Sequence, residues 1–256
     1  MKRIVQYSGG LCSYFAARRV VAEHGTEGVV LLFADVLIES PGLYRFLKAG
    51  AKSLGLKVTR IAEGRTPWQV FKDNHFIGNA RVDLCSRILK RELCRKWIEE
   101  RCEPGDTTLY VGISWDEGRI EEITERWKPW PVEAPMCTRP FRTKCEMIEE
   151  ARRLGLPLSE AYADGFPHDN CGGGCVKAGQ AHFAMLYKIR PAVYAEWERN
   201  EADVIAHRIK DGYDLRSILR DRKGGETRPL TLAEFRGRIE SGDYDKDEWG
   251  GCGCGV

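Results

Sequence analysis

Residues 1–21 read MKRIVQYSGGLCSYFAARRVV, and this stretch decides the fold. Ile4, Val5 and Tyr7 form a short β-favouring run, and Leu11 to Ala22 carries apolar residues at helical spacing. Between strand and helix stand Ser8, Gly9, Gly10 and Ser13. Glycines there let the backbone turn tightly and come close to a ligand. The first turn of a helix leaves its N–H groups unpaired, and its dipole favours negative charge. Ser8 and Ser13 add hydroxyl donors. One reading is a phosphate cradle; the other is a Ser/Gly turn with a helix N-cap. No Gly-Lys-Ser/Thr follows, so the loop is not a Walker A motif, and it is not G-x-G-x-x-G either.

Outward from this stretch, strand and helix patterns alternate. Residues 28–34 (GVVLLFA) are a continuous apolar run, as in a central parallel strand covered on both faces. Helices are predicted over 43–54, 67–74, 86–101 and 145–154, and strands over 56–61 and 107–113 (TTLYVGI). The alternation predicts an α/β fold: a doubly wound, mostly parallel sheet in three layers over residues 1–156. In such sheets ligands lie at the carboxyl ends of the strands. The loop after strand one and Asp35 after strand two both fall there. Residues 157–256 predict a mainly helical, Cys-containing extension packed on that sheet. It runs from a Gly/Cys loop through charged helical stretches to a helix over 231–239 and the tail WGGCGCGV.

Charged residues make up 30% of the 256, yet the net charge is only +2. That gives no electrostatic case for nucleic acid and none against a local basic patch. No apolar run approaches the ~20 residues that span a bilayer. The N-terminal run lacks the apolar region of a signal peptide. The expectation is a cytoplasmic protein without a membrane partner. In a reducing compartment its ten cysteines are metal ligands, redox groups or core residues rather than disulfides.

Ser8-Gly9-Gly10-x-x-Ser13 after the first strand resembles the PP-loop of the ATP pyrophosphatase and phosphoadenylylsulfate (PAPS) reductase superfamily. Asp35, in LLFADVLIESPGLYRFL, resembles the acidic residue that follows the second strand in those proteins. DLCSRILK, with Cys85 and Lys90, resembles their Cys-containing segment with a following lysine. VGISWDEGRI resembles their Gly-Ile-Arg block, with Arg119 in place of an anion-binding arginine. The resemblance covers about residues 1–190. It implies a Rossmann-like fold of the adenine nucleotide alpha hydrolase type. It also implies ATP or PAPS as the nucleotide, with phosphates on Ser8–Ser13 and the base near Asp35. Departures are Cys12 where many pyrophosphatase-type members have Asp or Lys, and Ser114 where the reductases have arginine. The Glu-Cys-Gly-Leu-His tail and the paired Cys-Cys motif of the reductases are absent.

Cys171-Gly-Gly-Gly-Cys175 is the sharpest chemical signal. Three glycines between two thiols let the backbone fold around an ion or cluster and point N–H groups at sulfur. Cys85, just before a helix, is the candidate third ligand. Three cysteines on a [4Fe–4S] cluster leave one iron open. In related tRNA thiolation and DNA phosphorothioation proteins such a cluster is thought to handle sulfur. A structural zinc on Cys171, Cys175, Cys252 and Cys254 is the rival, although C-x-C is tight for zinc. A redox dithiol and inert thiols are the remaining readings. Cys252 and Cys254, on a glycine-rich tail, are candidates for a resolving or sulfur-carrying thiol or for closing the metal site. Cys94 and Cys102 read as fill.

Other polar groups have two readings each. His168 and Asp169 support a ligand or cap a loop, Asn170 can orient a ligand, and Lys177 opens the helix after the Cys loop. Asp116 and Glu117 offer hard oxygens for Mg²⁺ with ATP, or form a polar loop. Trp127 and Trp130 stack on a base or pack on the sheet. Arg87, Lys90, Arg91, Arg95 and Lys96 hold a phosphate backbone or form a solvated face.

The expected function is ATP-dependent adenylylation of a substrate with release of pyrophosphate, followed by cluster-assisted sulfur transfer. Cys85, Lys90, Arg119 and Cys254 are the catalytic candidates. The acceptor is tRNA, DNA or a small molecule, and the sulfur donor a protein such as a cysteine desulfurase; a homodimer is left open. The alternatives are a PAPS reductase releasing sulfite and a non-catalytic, metal-stabilised nucleotide-binding module.

Overall fold

The computed structural model describes residues 1–78, 82–222 and 226–251. The α/β half runs β1 (Lys2–Gln6), α1 (Leu11–His24), β2 (Val29–Ala34), α2 (Pro41–Ser53), β3 (Val58–Ile61) and α3 (Pro67–Asp73). It continues through α4 (Leu84–Ser86), a π-helical segment (Arg87–Glu92), α5 (Leu93–Glu99), β4 (Thr107–Val111), α6 (Ile120–Trp127), β5 (Val132–Glu133) and α7 (Lys144–Arg153). The extension adds α8 (Glu160–Ala163), α9 (Gln180–Ile189), α10 (Pro191–Lys210), β6 (Leu219–Asp221), β7 (Arg228–Leu230) and α11 (Leu232–Ser241).

Five strands form one parallel sheet in the order β3-β2-β1-β4-β5. The chain builds outward to β3, then crosses back to start again at β4. The two runs leave in opposite directions from the β1–β4 boundary, and the crevice there is where such sheets bind ligands. Side chains alternate across the sheet, as a period of two requires. Val5, Leu31, Phe33 and Tyr110 face α1, α2 and α7. Ile4, Leu32, Ala34, Leu109 and Val111 face α5 and α6. β2 is apolar throughout because it is covered on both faces. Helix starts are set locally: Thr66 with Gln69, Thr143 with Glu146 and Thr231 with Glu234 form capping boxes at α3, α7 and α11.

The structure corrects the sequence expectation in three places. The helix expected over 86–101 starts at Leu84 and is interrupted by a π-helical segment. The WKPWP segment leads into a fifth strand, β5, and VGISWDEGRI runs into helix α6, which Arg119 precedes. The polar stretch before α11 contributes the antiparallel pair β6–β7. No helix among the described residues is long and apolar enough to cross a membrane.

The extension shares a core with the α/β half. Trp68, Phe71, Leu84 and Leu89 bury against Phe183, Tyr194, Trp197 and Val204, and α3 packs on α10. Glu201 of α10 is buried behind the β6–β7 pair. It accepts hydrogen bonds from the N–H groups of Ile218 (2.8 Å) and Leu232 (2.5 Å). Burial pushes its carboxyl from 4.5 up to about 7, against the opposing pull of those two N–H groups. The folded chain therefore keeps this proton to higher pH than the unfolded chain. The resulting stability is full below about pH 4.5 and is lost as pH rises to about 7. Glu201→Gln is expected to flatten the fall of Tm between about pH 5 and pH 7.5. Parallel Tm–pH curves for variant and parent would refute this.

Candidate nucleotide and thiol sites

The loop after β1 is built for close approach. Gly9 has φ 81°, and a Cβ there would lie 2.8 Å from Leu43 Cδ2. Gly10 caps α1 without any side-chain bond, and the first turn holds no acidic residue. The N-cap residue therefore leaves the first-turn N–H groups of α1 without a capping side chain. Ser8 Oγ donates to Ser13 Oγ (3.2 Å), and Ser13 Oγ donates to the Gly10 carbonyl (2.8 Å). Ser13 is thus spent inside the loop, and Ser8 is the hydroxyl that reaches the cavity.

That cavity, about 380 Å³, is bounded by Ser8, Gly10 and Cys12 on one side and by the Ser114–Glu117 turn after β4 on the other. Its volume lies in the range of small-ligand sites. Arg142 and Lys144, at the start of α7, supply its cations. Sequence reasoning passed over both; their signal was a Thr-Lys pair opening a capped helix. Arg119 does not line this cavity. It pairs with Glu117, which also accepts from the Ser114 N–H at 2.8 Å. Asp116 and Glu117 line the cavity together. Burial, then Glu117, pushes the Cys12 thiol up to about 11, so Cys12 stays protonated.

Asp35 is placed differently from expectation. Its buried carboxylate accepts from the Leu37 N–H (2.8 Å) and the Tyr44 hydroxyl (2.7 Å) and pairs with Arg60 at 2.7 Å. It orders the turn after β2, where Leu37 has φ 66°, and does not line the loop cavity.

Cys85, Cys171 and Cys175 do converge. All three line one mainly apolar cavity together with Lys90, Ile38 and Trp197. They are 7%, 8% and 1% exposed. On an α-helix Lys90 would be rotated about 140° from Cys85. The π-helical segment, with its wider turn, brings both to the same side. Cys171 lies in a short turn, Asn170–Gly173, with left-handed φ of 54° at Cys171 and 73° at Gly172. The Lys177 N–H, beyond the glycine loop, donates to Cys175 Sγ at 3.5 Å. Lys177 itself faces Asp83 at 3.6 Å.

Glu39 is a site residue that sequence reasoning missed. Its side chain is buried between the two cysteine segments. Oε2 accepts from the Cys171 N–H at 2.6 Å, and Oε1 faces Lys90 Nζ at 3.5 Å. Burial raises its pKa, with Lys90 and the Cys171 N–H pulling the other way. The only signal was a carboxylate within an apolar run just before the Ser40-Pro41 helix start.

The three thiols do not stand at the spacing of a tetrahedral zinc site. Tetrahedral zinc spaces thiolate sulfurs about 3.8 Å apart. Among the described residues, the one group of three metal-ligating side chains whose donor atoms all lie within 4.8 Å is elsewhere, at His75, His207 and Asp211. The three cysteine sulfurs stand wider. The space between them is about 10 Å³, room for one water, so cluster loading requires the thiols to rotate outward. Cys252 and Cys254 lie outside the described residues. The chain just before them is fixed near the thiols: Gly251 N–H donates to the Lys177 carbonyl (3.1 Å) and Gly179 N–H to the Trp249 carbonyl (3.0 Å).

One loop joins the two cavities. His168 and Asn170 line the cavity beside the Ser8–Ser13 loop, and Cys171 lines the thiol cavity. Asp169 beneath them is buried and accepts from the Ser40 and Ser159 hydroxyls, a packing role. A larger groove of about 920 Å³ shares Ile38, Cys171 and Trp197 with the thiol cavity. Trp127 and Trp130 are core residues, with Arg95 over the Trp127 ring at 5.0 Å, so they do not offer a stacking surface. In the basic run, Arg87, Lys90, Arg91 and Arg95 face Glu92, Glu39, Asp83 and Glu99 respectively. Cys94 and Cys102 are core fill, and burial pushes the Cys94 thiol up to about 12. No family model matches the chain and no curated protein matches it.

Proposed function

We propose that the chain is a PP-loop enzyme of the adenine nucleotide alpha hydrolase type that activates a substrate oxygen with ATP and replaces it with sulfur. The observation that carries this reading is the meeting of Cys85, Cys171 and Cys175 in one cavity, one residue along the loop from the nucleotide cavity. ATP phosphates lie against the first-turn N–H groups of α1, where the helix dipole favours them. Arg142 and Lys144 offset their charge, and Asp116 and Glu117 supply oxygens for Mg²⁺.

The substrate oxygen attacks the α-phosphorus. A new O–P bond forms, the bond to the bridging α–β oxygen breaks, and pyrophosphate leaves with the electron pair. The substrate oxygen is now part of a good leaving group. A sulfur nucleophile bonds to the substrate atom, and AMP departs with that oxygen. The chain's part is positioning and charge neutralisation. A [4Fe–4S] cluster on Cys85, Cys171 and Cys175 leaves one iron without a protein ligand and so supplies a place to keep sulfur. The Lys177 N–H donates to Cys175 Sγ, and Lys90 lines the same cavity.

The 920 Å³ groove is the entry for the acceptor. Its cations Arg45, Lys72 and Arg190 each face a carboxylate, those of Glu160, Asp203 and Asp164. That lining suits a compact acceptor better than a phosphate backbone.

Anaerobic purification with iron, sulfide and zinc analysis tests the reading. The expected result is about four irons and four sulfides per chain, lost in Cys171→Ala, with ATP–pyrophosphate exchange in the parent. One zinc and no iron would overturn the cluster. Sulfite release from PAPS without ATP would move the chain to the reductase reading.

A further inference from the structure

We infer that His75, His207 and Asp211 form a site for a divalent transition metal that clasps the extension to the α/β half. This inference is independent of the thiol site. His207 and Asp211 are one helical turn apart at the end of α10 and share a face. His75 reaches them from the residues just after α3. His75 Nδ1 lies 3.4 Å from Asp211 Oδ2, and His207 Nε2 lies 3.5 Å from the same oxygen. All three donor atoms fall within 4.8 Å of one another.

These separations are those of ligands on one metal. Bonds of about 2.0–2.2 Å at tetrahedral angles space N and O donors about 3.3–3.5 Å apart. They are too long for good N–H···O hydrogen bonds, which fall near 2.7–3.2 Å. His75 Nδ1 is buried and has no hydrogen-bond partner.

His75 closes α3 at its left-handed C-terminal position, where its N–H donates to the Lys72 carbonyl (3.1 Å) and the Phe76 N–H to the Phe71 carbonyl (3.0 Å). His75 has φ 46°, a region that few residues other than glycine adopt. Its ring is held between two others, stacked on Tyr213 (4.5 Å, 12°) and on His207 (5.5 Å, 4°). The C-terminal end of α10 favours a cation. Imidazole with one carboxylate selects zinc, cobalt or nickel over magnesium and calcium. The ligands are only partly buried, which leaves room for a water as the fourth ligand.

The test uses Co²⁺ as probe on the full chain. One equivalent should bind with d–d absorption and without thiolate charge-transfer absorption. Its affinity should fall more than about 10-fold in His207→Ala and in Asp211→Asn and stay unchanged in Cys171→Ala. Zn²⁺ should raise the Tm of the parent and of Cys171→Ala but not of the two ligand variants. Unchanged affinity in both ligand variants, or bound cobalt whose absorption is all thiolate-derived, would overturn the site.

Discussion

Gly112→Ala is expected to weaken ATP binding more than tenfold and to lower Tm by roughly 2–12 °C. Gly112 follows β4 directly at the crevice where the two halves of the sheet part. A Cβ there would lie 2.4 Å from Ser13 Cα and 2.7 Å from Ser13 N. Both atoms are backbone in the first turn of α1, so no side-chain rotation relieves the contact. Either β4 or the start of α1 must move. Overpacking of this kind costs about 1–3 kcal/mol, and in a chain this size each kcal/mol shifts Tm by about 2–4 °C. The N–H groups offered to phosphate move with the helix start, so affinity falls with stability. Gly10→Ala is the control. Its Cβ meets only Ser8 Oγ at 3.6 Å, and Gly10 lines the cavity. That variant is expected to keep its Tm and lose affinity alone. Calorimetric titration with a non-hydrolysable ATP analogue, beside thermal melts, separates the two. Unchanged affinity in Gly112→Ala would remove α1 from the nucleotide site.

The sheet was legible where burial on both faces leaves an unbroken apolar run, as in β2, and where β-favouring residues cluster, as in the TTLYV of β4. It was not legible at β5, whose two residues owe their strand geometry to pairing with Leu109 and Tyr110. α6 hides its core face in three residues, Ile120, Ile123 and Trp127, among acidic neighbours. The Cys pattern was legible because thiols and glycines at short spacing have few other uses. Glu39 was not, because one carboxylate carries no pattern. Its meaning comes from Lys90 and Cys171, which the fold brings to it from far along the chain. Asp35 and Ser13 show the reverse error. Each stands at a strand's carboxyl end, where ligands bind. Yet Arg60, Tyr44 and the Gly10 carbonyl, supplied by neighbouring elements, take up their hydrogen-bonding capacity.

The second large effect is expected at Glu39. Glu39→Ala removes the acceptor of the Cys171 N–H and the carboxylate facing Lys90 in one step. Breaking one side of a buried ion pair costs about 3–5 kcal/mol. Lys90 is slightly exposed, so the lower end applies, a fall in Tm on the order of 6–12 °C. The turn at Cys171 is left-handed and loses an anchor, so iron content should fall with stability. Glu39→Gln divides these roles. Its amide oxygen can still accept from Cys171 N–H, while the negative charge opposite Lys90 is gone. If the backbone hydrogen bond positions the thiol, Glu39→Gln keeps its iron and loses less Tm than Glu39→Ala. If the charge is what matters, the two variants lose iron alike, and Lys90→Met on the Glu39→Gln background restores part of the stability by removing the second charge. Full iron content in Glu39→Ala would show that the glycine-rich turn holds Cys171 in place without help, and Glu39 would then belong to the fold rather than to the site.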